Sequence, residues 1–332
     1  MPLVCPGCRK RSERGVELAA LEIESRSRTE GEELVEGVLR CTGCARRFAV
    51  VDGIPVLLRE VGEAHLLGLL SQPLDPEVAA VLAEPGPDEA PLPHALAQLG
   101  SYLDSQWGDR SDPPPGGPSP PSGFAALARK LRDLSSVRVP LCLELGCGVG
   151  RGLSALARGA EVVVGVDKSP WALRLARRIL RGEEVGYPRR AAGRTYLPAT
   201  VRAHKDAAPG AQLICADAVA PPFPPGTFQR TVALNLLDSV RSPRELLHHL
   251  DQLTAPGGDI AVGSPYAWRS GITDEAERLG GADPAAALRT EAAQLGWTVV
   301  EDDDQVPWTL RRDARSASLY AVHWLRARRS TG

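Results

Sequence analysis

Four of the seven cysteines form two closely spaced pairs near the start of the chain. Two residues separate Cys5 from Cys8, two separate Cys41 from Cys44, and 32 residues lie between the pairs. Pro-Gly and Thr-Gly fill the two gaps and favour tight turns, so that four thiolates can share one tetrahedral metal ion. We therefore predict a structural Zn2+ site, because four cysteines leave no open position for catalysis. Free thiols and a redox dithiol are the alternatives.

Three glycines in the second half of the chain indicate a ligand site of a different kind. Gly146, Gly148 and Gly150 follow a short apolar run that contains Glu144, and glycine allows a positive φ and a close approach of backbone to ligand. Asp167 ends the next apolar run, where its carboxylate can accept hydrogen bonds from both hydroxyls of a ribose. The glycine spacing differs from the G-x-G-x-x-G order that holds a pyrophosphate, which disfavours a nicotinamide dehydrogenase.

Alternating strand and helix patterns would place these residues at one edge of a sheet. Five apolar runs read as buried strands, at 141–145, 161–167, 212–216, 230–234 and 258–263. Helical patterns lie between them at 170–180, which Ser169 can cap, and at 242–253. This alternation predicts an α/β fold with a doubly wound, Rossmann-like parallel sheet, whose ligands bind beyond the carboxyl ends of the strands.

The glycine loop, Asp167 and the Asp217-Ala218 pair after the third run occur in an order that resembles class I S-adenosylmethionine-dependent methyltransferases. The resemblance implies S-adenosylmethionine as the cofactor, with Glu144 near its amino group. The cofactor-binding residues that it implies are Tyr102, Glu144, Gly146, Gly148, Gly150, Asp167, Lys168, Asp217, Ala218 and Asn235. A non-catalytic scaffold that only binds the cofactor is the alternative.

A strand-like segment directly after the second cysteine pair adds to the metal-site prediction. Residues 47–58, RFAVVDGIPVLL, read as a strand, an Asp-Gly turn and a second apolar run. Together with CPGC and CTGC, they resemble the small zinc-ribbon family whose members bind and activate tRNA, rRNA and protein methyltransferases. The resemblance covers about residues 2–60. It implies a small β-rich zinc ribbon that serves as a scaffold for a methyltransferase in the rest of the chain.

Polar and aromatic residues follow the fourth and fifth apolar runs, where a methyl acceptor would bind. No Asn-Pro-Pro-aromatic or Asp-Pro-Pro-aromatic loop occurs there, which disfavours exocyclic amines and amides as acceptors. The stretch NLLDSVRSPRELLHHLDQLTAPGGDIAVGSPYAW, with VPWTLRR further on, resembles the C-terminal methyltransferase domain of ovothiol-biosynthesis enzymes over about residues 100–327. That family methylates an imidazole nitrogen of a thiolated histidine, and an iron-dependent sulfur-inserting domain precedes its methyltransferase domain. Here a zinc ribbon stands in that place, so the resemblance implies histidine, thiohistidine or another small imidazole as the acceptor.

The same resemblance assigns roles around the acceptor. The implied catalytic residues are Asn235, Asp238 and Tyr266. The implied substrate-binding residues are Trp268, Arg311 and Arg315, of which either arginine could grip a carboxylate. The alternatives are a turn or helix cap for the first two residues, core packing for the aromatic residues and an exposed charged turn for the arginines. Of the histidines, His323 is expected to be structural, and His248 and His249 to lie on a helix surface.

The remaining features concern domain organisation and partners. We expect a zinc ribbon at 1–60, a helical connector with the Pro-rich stretch PPPGGPSPP at 61–123, and the methyltransferase domain at 124–330. A net charge of −2 argues against a whole-chain nucleic-acid clamp. Because the chain has no long apolar run and no signal sequence, we expect a cytoplasmic protein without a membrane partner. The basic segment 181–206, with Tyr187 and Tyr196, supports an alternative: a zinc-ribbon-containing rRNA or tRNA base methyltransferase.

Overall fold

The first described residues form a small antiparallel sheet. The structure, a computed structural model, describes residues 2–12, 15–58, 92–111, 123–192, 195–269 and 271–331. A short hairpin of β1 (Lys10–Ser12) and β2 (Gly15–Glu17) precedes four paired strands, β3 (Leu21–Glu30), β4 (Glu33–Cys41), β5 (Arg47–Val51) and β6 (Ile54–Pro55). The predicted Asp-Gly turn joins β5 to β6, and both of its residues have positive φ. The β-rich character of this part of the chain is therefore confirmed.

Two helices precede the main sheet. α1 (Leu92–Trp107) falls within the predicted helical connector, and α2 (Ala125–Leu134) follows it. Leu127, Leu131 and Leu134 form the buried side of α2, at the i, i+4, i+7 spacing of an amphipathic helix. The rest of the connector, with its Pro-rich stretch, lies outside the described residues. Nowhere in the described part of the chain is a helix both long and apolar enough to cross a membrane.

A seven-stranded, mostly parallel sheet confirms the predicted α/β fold. Its strands, together with a hairpin inserted before the third, are β7 (Val139–Leu145), β8 (Ala160–Asp167), β9 (Val185–Ala192), β10 (Thr195–Val201), β11 (Gln212–Cys215), β12 (Phe228–Leu234), β13 (Thr254–Ser264), β14 (Thr298–Arg311) and β15 (Ala317–Arg328). The order across the sheet is β11-β8-β7-β12-β13-β15-β14, and β9 pairs only with β10. The five strands from β11 to β13 in that order are parallel, as predicted. The antiparallel β14–β15 hairpin adds two strands to the predicted parallel set.

Helices cover both faces of this sheet. Those that follow β7, β8, β12 and β13 are α3 (Arg151–Leu156), α4 (Pro170–Leu180), α5 (Pro243–Leu253) and α6 (Pro284–Gln294). Ser169 Oγ accepts a hydrogen bond from Ala172 N at 3.3 Å, and Ser242 Oγ accepts one from Glu245 N at 3.4 Å. Both helices therefore begin where an N-cap serine followed by proline predicts. The buried leucines of α2, α3 and α4 form one core cluster, and those of α5 and α6 form a second.

The prediction that His249 lies on a helix surface is wrong. Its side chain is buried in α5, with ring Nε2 2.9 Å from the carbonyl oxygen of Val219. His249 follows Leu246 by three residues and precedes Leu253 by four, so it lies on the apolar stripe that packs on the sheet. His248, one position further round the helix, is only half-buried.

The amino-terminal sheet packs directly against the edge of the main sheet. Beyond β6, Val56 forms a parallel bridge with Cys215 of β11, and Leu57 N donates a hydrogen bond to the Cys215 carbonyl oxygen at 2.6 Å. Ion pairs lie beside this junction: Asp52 contacts Arg174 of α4 at 2.7 Å, and Glu33 contacts Arg177 at 2.6 Å. The amino-terminal sheet thus covers part of an edge strand that would otherwise offer unpaired backbone groups.

The basic segment that supported RNA binding forms the β9–β10 hairpin and is partly buried. Tyr187 and Arg189 are each 5% exposed. The Tyr187 hydroxyl donates to the Asp104 carboxylate, and Arg189 Nε donates to Asp104 Oδ1 at 2.9 Å. These two side chains therefore hold the hairpin against α1 instead of presenting a surface to RNA. Tyr196, on β10, remains exposed.

Candidate functional site

The four cysteines of the predicted metal site meet at one point. Their Sγ atoms all lie within 4.8 Å of one another, with Cys5 and Cys44 3.8 Å apart and Cys8 and Cys41 3.7 Å apart. A tetrahedron with Zn–S bonds of about 2.3 Å has edges of about 3.8 Å. Burial opposes ionisation of Cys41, but hydrogen bonds from the amides of Cys44 and Gly43 outweigh it and lower the Cys41 pKa to about 7. Spacing and chemistry of the donors both fit a zinc ion.

The glycine loop reverses direction at the end of β7. Gly146, Gly148 and Gly150 have φ values of 75°, 53° and 85°, a region that side chains disfavour. A Cβ on Gly148 would lie 2.8 Å from Nε2 of Gln106. A Cβ on Gly146 would lie 2.9 Å from Cδ1 of Leu236. The positive φ values thus favour glycine at all three positions, and the bare backbone faces the edge where parallel sheets bind ligands.

Asp167 lies at the same edge, at the end of β8. Its Oδ2 accepts a hydrogen bond from Gly148 N at 2.8 Å, and its Oδ1 accepts one from Ser169 N at 2.8 Å. Burial raises the pKa of this carboxyl, and the amides of Ser169 and Gly148 oppose the rise. The two amides fix the orientation of the carboxylate while each oxygen keeps acceptor capacity for a hydroxyl. This arrangement fits a ribose-binding role.

Two buried oxygens near the loop have no hydrogen-bond partner among the described residues. They are Oε2 of Glu144 and Oδ1 of Asn235. Glu144 is 2% exposed, and burial followed by the charge of Asp167 raises its pKa well above the usual value. Its carboxyl lies against Gly152, where a Cβ would clash. Because buried polar atoms are normally satisfied, these two oxygens indicate a missing hydrogen-bond donor, such as the amino group of S-adenosylmethionine.

Helix α1 lies across the outer side of the glycine loop. Trp107 Nε1 donates to the Val149 carbonyl oxygen at 2.8 Å, and the Arg151 guanidinium lies 4.7 Å from the centre of the Trp107 ring. Gln106 Oε1 accepts a hydrogen bond from Arg151 N at 3.3 Å. The predicted cofactor residue Tyr102 is half-buried on the same helix. Gln106 could not be predicted from the sequence, since one glutamine in a helix carries no distinguishing pattern.

The other predicted cofactor residues also come to this edge. Ala216 N donates to the Asp167 carbonyl oxygen at 3.0 Å, which holds the loop after β11 beside β8. In that loop, Asp217 Oδ1 accepts a hydrogen bond from Val219 N at 3.1 Å, and Ala218 is buried. Lys168 is exposed directly after Asp167.

The loops after β12 and β13 carry the predicted acceptor residues and are tied together. Asn235 N donates to the Gly263 carbonyl oxygen at 2.7 Å, and Asp238 Oδ2 accepts a hydrogen bond from Ala267 N at 2.7 Å. Asp238 is buried, and burial raises its pKa. Neither residue caps α5, since Ser242 does so. The carboxylate of Asp238 positions the turn that presents Tyr266.

The aromatic residues of the second loop lie together. The ring centres of Tyr266 and Trp268 are 6.1 Å apart, and both rings pack with Leu236 on the second core cluster. Tyr266 has a φ of 52°. Its hydroxyl lies 2.6 Å from Nδ1 of His323, whose Nε2 lies 3.0 Å from Oδ1 of Asp302. From the sequence, His323 was expected only to be structural and Asp302 was not singled out, since neither residue belongs to a local motif.

The two predicted substrate-binding arginines lie away from this group. Arg311 ends β14, Arg315 is exposed in the turn that follows, and Arg311 pairs in register with Ala317 of β15. His323 is six residues further along β15, which is about 20 Å of extended strand. Ala314 N donates to the Ala191 carbonyl oxygen at 3.2 Å, so this tip packs on the β9–β10 hairpin. The structure does not bring the arginines together with Tyr266, because the hairpin extends beyond the sheet.

Comparison with known proteins identifies part of the chain. Residues 143–262 match the family model described as a methyltransferase domain. This segment begins in β7, includes the glycine loop and Asp167, and ends in β13. With the observed strand order, the match shows that this part of the chain is a class I methyltransferase domain. No curated protein matches the sequence.

Three solved structures resemble the chain at low sequence identity. N-methyltransferase NodS from Bradyrhizobium japonicum is 17% identical and covers 61% of this chain and 94% of its own, with a TM-score of 0.40. A chain from the complex of the Haloferax volcanii Trm112 methyltransferase activator with a methyltransferase is 15% identical, with 71% and 96% covered and a TM-score of 0.45. The tRNA (m1A58) methyltransferase TrmI from Aquifex aeolicus is 13% identical, with 61% and 68% covered and a TM-score of 0.38.

Proposed function

We propose that the chain is an S-adenosylmethionine-dependent methyltransferase that methylates an imidazole nitrogen of histidine, thiohistidine or a related small molecule. One observation supports S-adenosylmethionine as the cofactor. The loop of three glycines with positive φ is hydrogen-bonded to Asp167, and both lie within the segment that matches a methyltransferase domain. Support for the acceptor comes from the resemblance of the loops after β12 and β13 to the ovothiol family. It also comes from the aromatic pair Tyr266 and Trp268, against which a flat imidazole ring can pack.

The residues at the sheet edge suit a cofactor that needs positioning more than covalent help. When bound, S-adenosylmethionine supplies a methyl group already activated by a sulfonium charge. Asp167 would orient the ribose, and the unpaired oxygens of Glu144 and Asn235 would accept hydrogen bonds from the amino group. α1, through Gln106 and Trp107, would shield the loop from water. At the cofactor, the contribution of these residues is therefore orientation and exclusion of water.

We also propose that Cys5, Cys8, Cys41 and Cys44 hold one structural zinc ion in a ribbon that braces the methyltransferase domain. Four sulfur ligands close the coordination sphere, so the ion would stabilise the amino-terminal sheet without binding substrate. That sheet contacts β11 through Val56 and Leu57, and the loop after β11 carries Asp217. Metal binding would in this way support one wall of the cofactor site.

Transfer of tritium from methyl-labelled S-adenosylmethionine tests the proposal. The purified protein is incubated with histidine, 4-thiolated histidine and imidazole-containing peptides, with and without total RNA. We expect label in a small imidazole and no requirement for RNA. An Asp167→Asn variant should bind S-adenosylhomocysteine at least about tenfold more weakly by calorimetry, whereas Asp133→Asn, an exposed change at the end of α2, should not. Label in RNA alone would overturn the imidazole assignment.

One observation favours the RNA alternative. A cavity of about 430 Å3 between α4 and the amino-terminal sheet is lined by Trp171, Arg174, Arg177, Arg178 and Arg181, together with Asp52, Leu175 and Glu183. Guanidinium groups beside an indole ring suit a phosphate and a stacked base. The acids Asp52 and Glu33 already pair with Arg174 and Arg177, which reduces the charge available to a nucleic acid. An RNA enzyme would lose affinity for RNA steeply as salt rises, and this dependence separates the two functions.

A further inference from the structure

A chain of hydrogen bonds connects Tyr266 to α6 through the buried His323 of β15 and through Asp302, which lies at the surface on β14. The Tyr266 hydroxyl lies 2.6 Å from Nδ1 of His323, and Nε2 of His323 lies 3.0 Å from Oδ1 of Asp302. Asp302 Oδ2 then accepts a hydrogen bond from Nε of Arg289 on α6 at 2.6 Å, and Oδ1 accepts one from its NH2 at 3.1 Å. His323 is only 2% exposed. The imidazole is thus enclosed between a phenol and an anchored carboxylate.

The partners of His323 fix the position of its proton. Hydrogen bonds from Arg289, and then from His323, lower the pKa of Asp302, so this group is an ionised carboxylate that can only accept. Nε2 of His323 must therefore carry the hydrogen that faces Asp302. In the neutral imidazole Nδ1 then keeps a lone pair, which can accept the hydrogen bond that the Tyr266 hydroxyl donates. The chain has one direction, in which a proton on Tyr266 can move inward to the imidazole.

Tyr266, at one end of this hydrogen-bond chain, lies where the methyl acceptor is expected to bind. Tyr266 is two residues beyond β13, and its ring packs in the same cluster as Leu236, which contacts the glycine loop at Gly146. The left-handed φ of Tyr266, 52°, is costly for a bulky residue. At the Asp302 end of the hydrogen-bond chain, the pairing of β14 with β15 shifts register between Asp303 and Val306, opposite His323. Bulges of this kind re-aim side chains beside functional sites.

We propose that Tyr266, His323 and Asp302 form a proton relay for the methyl transfer, an inference that rests on the proposed function. The attacking imidazole nitrogen of the acceptor uses its lone pair to form the new bond to carbon, and the electrons of the breaking carbon–sulfur bond stay on sulfur. The acceptor ring is then positively charged, and its other nitrogen gives its proton to the Tyr266 oxygen as the Tyr266 proton moves to Nδ1 of His323. The resulting imidazolium is stabilised by Asp302 and later releases its proton to water.

In this arrangement Tyr266 is the catalytic residue, and His323 and Asp302 act through it. Burial raises the pKa of Tyr266, so a free tyrosinate is not the base, and a coupled transfer to His323 is needed. The charged groups that influence the pKa of Tyr266 electrostatically are Arg289 of α6, Asp302 of β14, Asp283 before α6 and Asp238 after β12. None of these four residues lies on β15, the strand that carries His323.

The location of the His323 proton can be measured without any acceptor. Protein labelled with 15N-histidine gives long-range proton–nitrogen correlations that distinguish Nε2–H from Nδ1–H. We expect the Nε2–H form for His323 in the wild-type protein and loss of that signal in His323→Gln. His249→Gln, a change at the equally buried histidine of α5, is the matched control and should leave the signal in place. An Nδ1–H tautomer of His323 would overturn the relay.

Kinetics of the same variants test the role of the chain in methyl transfer. We expect His323→Gln and Asp302→Asn to lower kcat by roughly 10²-fold with KM and the affinity for S-adenosylhomocysteine nearly unchanged, because both residues act through Tyr266 in the proposed relay. A kcat within about twofold of wild type in both variants would contradict the relay.

The two proposals can fail separately. If the wild-type protein binds S-adenosylhomocysteine but methylates no imidazole, the proposed acceptor class is wrong, and the proton position in His323 still decides whether the hydrogen-bond chain is directed inward. If imidazoles are methylated and the variants keep full kcat, the proposed function stands and the relay falls.

Discussion

Single residues in the left-handed region mark the ends of three adjacent strands. Gly146 follows β7, Asn235 follows β12 and Tyr266 follows β13 at two residues' distance, with φ values of 75°, 51° and 52°. For the two residues that are not glycine, this conformation costs on the order of 1–3 kcal/mol each. The surrounding contacts must offset that cost, as the bond from Asn235 N to the Gly263 carbonyl oxygen does. Asn235, at the carboxyl edge of the sheet, therefore combines a strained backbone with a buried side-chain oxygen that has no partner among the described residues.

Replacing Gly148 by alanine tests the requirement for a bare backbone at this edge. The new Cβ would meet Gln106 at 2.8 Å and would sit on a residue with a φ of 53°. We expect Gly148→Ala to lower the free energy of unfolding by about 1–2 kcal/mol and to weaken the binding of S-adenosylhomocysteine. Urea unfolding and calorimetry measure the two effects.

The matched control for that change is Gly186→Ala in β9. A Cβ there would approach only the Ala199 carbonyl oxygen, at 4.0 Å, and the residue does not have a left-handed φ. Its stability should change by less than about 0.5 kcal/mol. Equal stability of the two variants, with equal affinity for the nucleoside, would show that the loop does not need glycine at position 148.

At the scale of elements, local signals predicted some boundaries well. α4 and α5 begin at Pro170 and Pro243, directly after the N-cap residues Ser169 and Ser242. Such a pair fixes the start of a helix by itself, since the serine satisfies a free amide and the proline needs none. The strands β7, β8 and β11 to β13 were equally clear because each contains a short apolar run, which is typical of strands buried on both faces of a sheet.

The β14–β15 hairpin had no comparable signal. Its first strand includes four consecutive acids, 301–304, and much of it is exposed at the sheet edge, so apolar alternation is weak. Its pairing partner is distant, and a register shift between Asp303 and Val306 sets which residues face each other. His323 and Asp302 meet only through this pairing, which explains why the parallel strands and their carboxyl edge could be predicted from the sequence and the hydrogen-bond chain could not.

The carboxylate of Asp206 links the segment before β11 to two arginines, one of which directly follows the glycine loop. Asp206, between β10 and β11, is 2.6 Å from Arg110 Nε and 3.3 Å from Arg151 NH1 of α3. Burial opposes ionisation, but the two arginines outweigh it and lower the Asp206 pKa. The ionised form therefore stabilises the fold at pH values above the ordinary carboxyl pKa of about 3.9, and this contribution is lost as pH falls through the lower folded value.

We accordingly expect Asp206→Asn to lower the free energy of unfolding by about 1–3 kcal/mol at pH 7. The difference from the wild-type protein should shrink as pH falls below about 4, because the wild-type carboxyl then becomes protonated. Urea unfolding at a series of pH values measures it. Asp133→Asn, at an exposed site on α2, should show no such trend. A difference independent of pH would assign the effect to packing instead of charge.

At the scale of the whole molecule, the amino-terminal sheet and the main sheet share their hydrophobic cores. Val38, Val51 and Val56 belong to the cluster that includes the leucines of α2, and Leu39, Phe48 and Leu57 belong to the cluster that includes those of α5. The two parts thus bury apolar surface against each other on both faces of the main sheet. Loss of structure in one should therefore lower the stability of the other.

Removal of zinc tests this coupling. We expect about one zinc ion per chain by elemental analysis, and a chelator should lower the Tm of the entire chain in one transition, since the cysteines that would hold the ion lie beside the shared core. Affinity for S-adenosylhomocysteine should fall as well, because Leu57 would no longer hold Cys215 next to the loop that carries Asp217. Zinc added back should restore both. Cys44→Ser should reproduce the metal-free state, whereas Thr42→Ser, in the same turn, should not. A metal-free protein with wild-type Tm would show that the four thiols are not a structural zinc site.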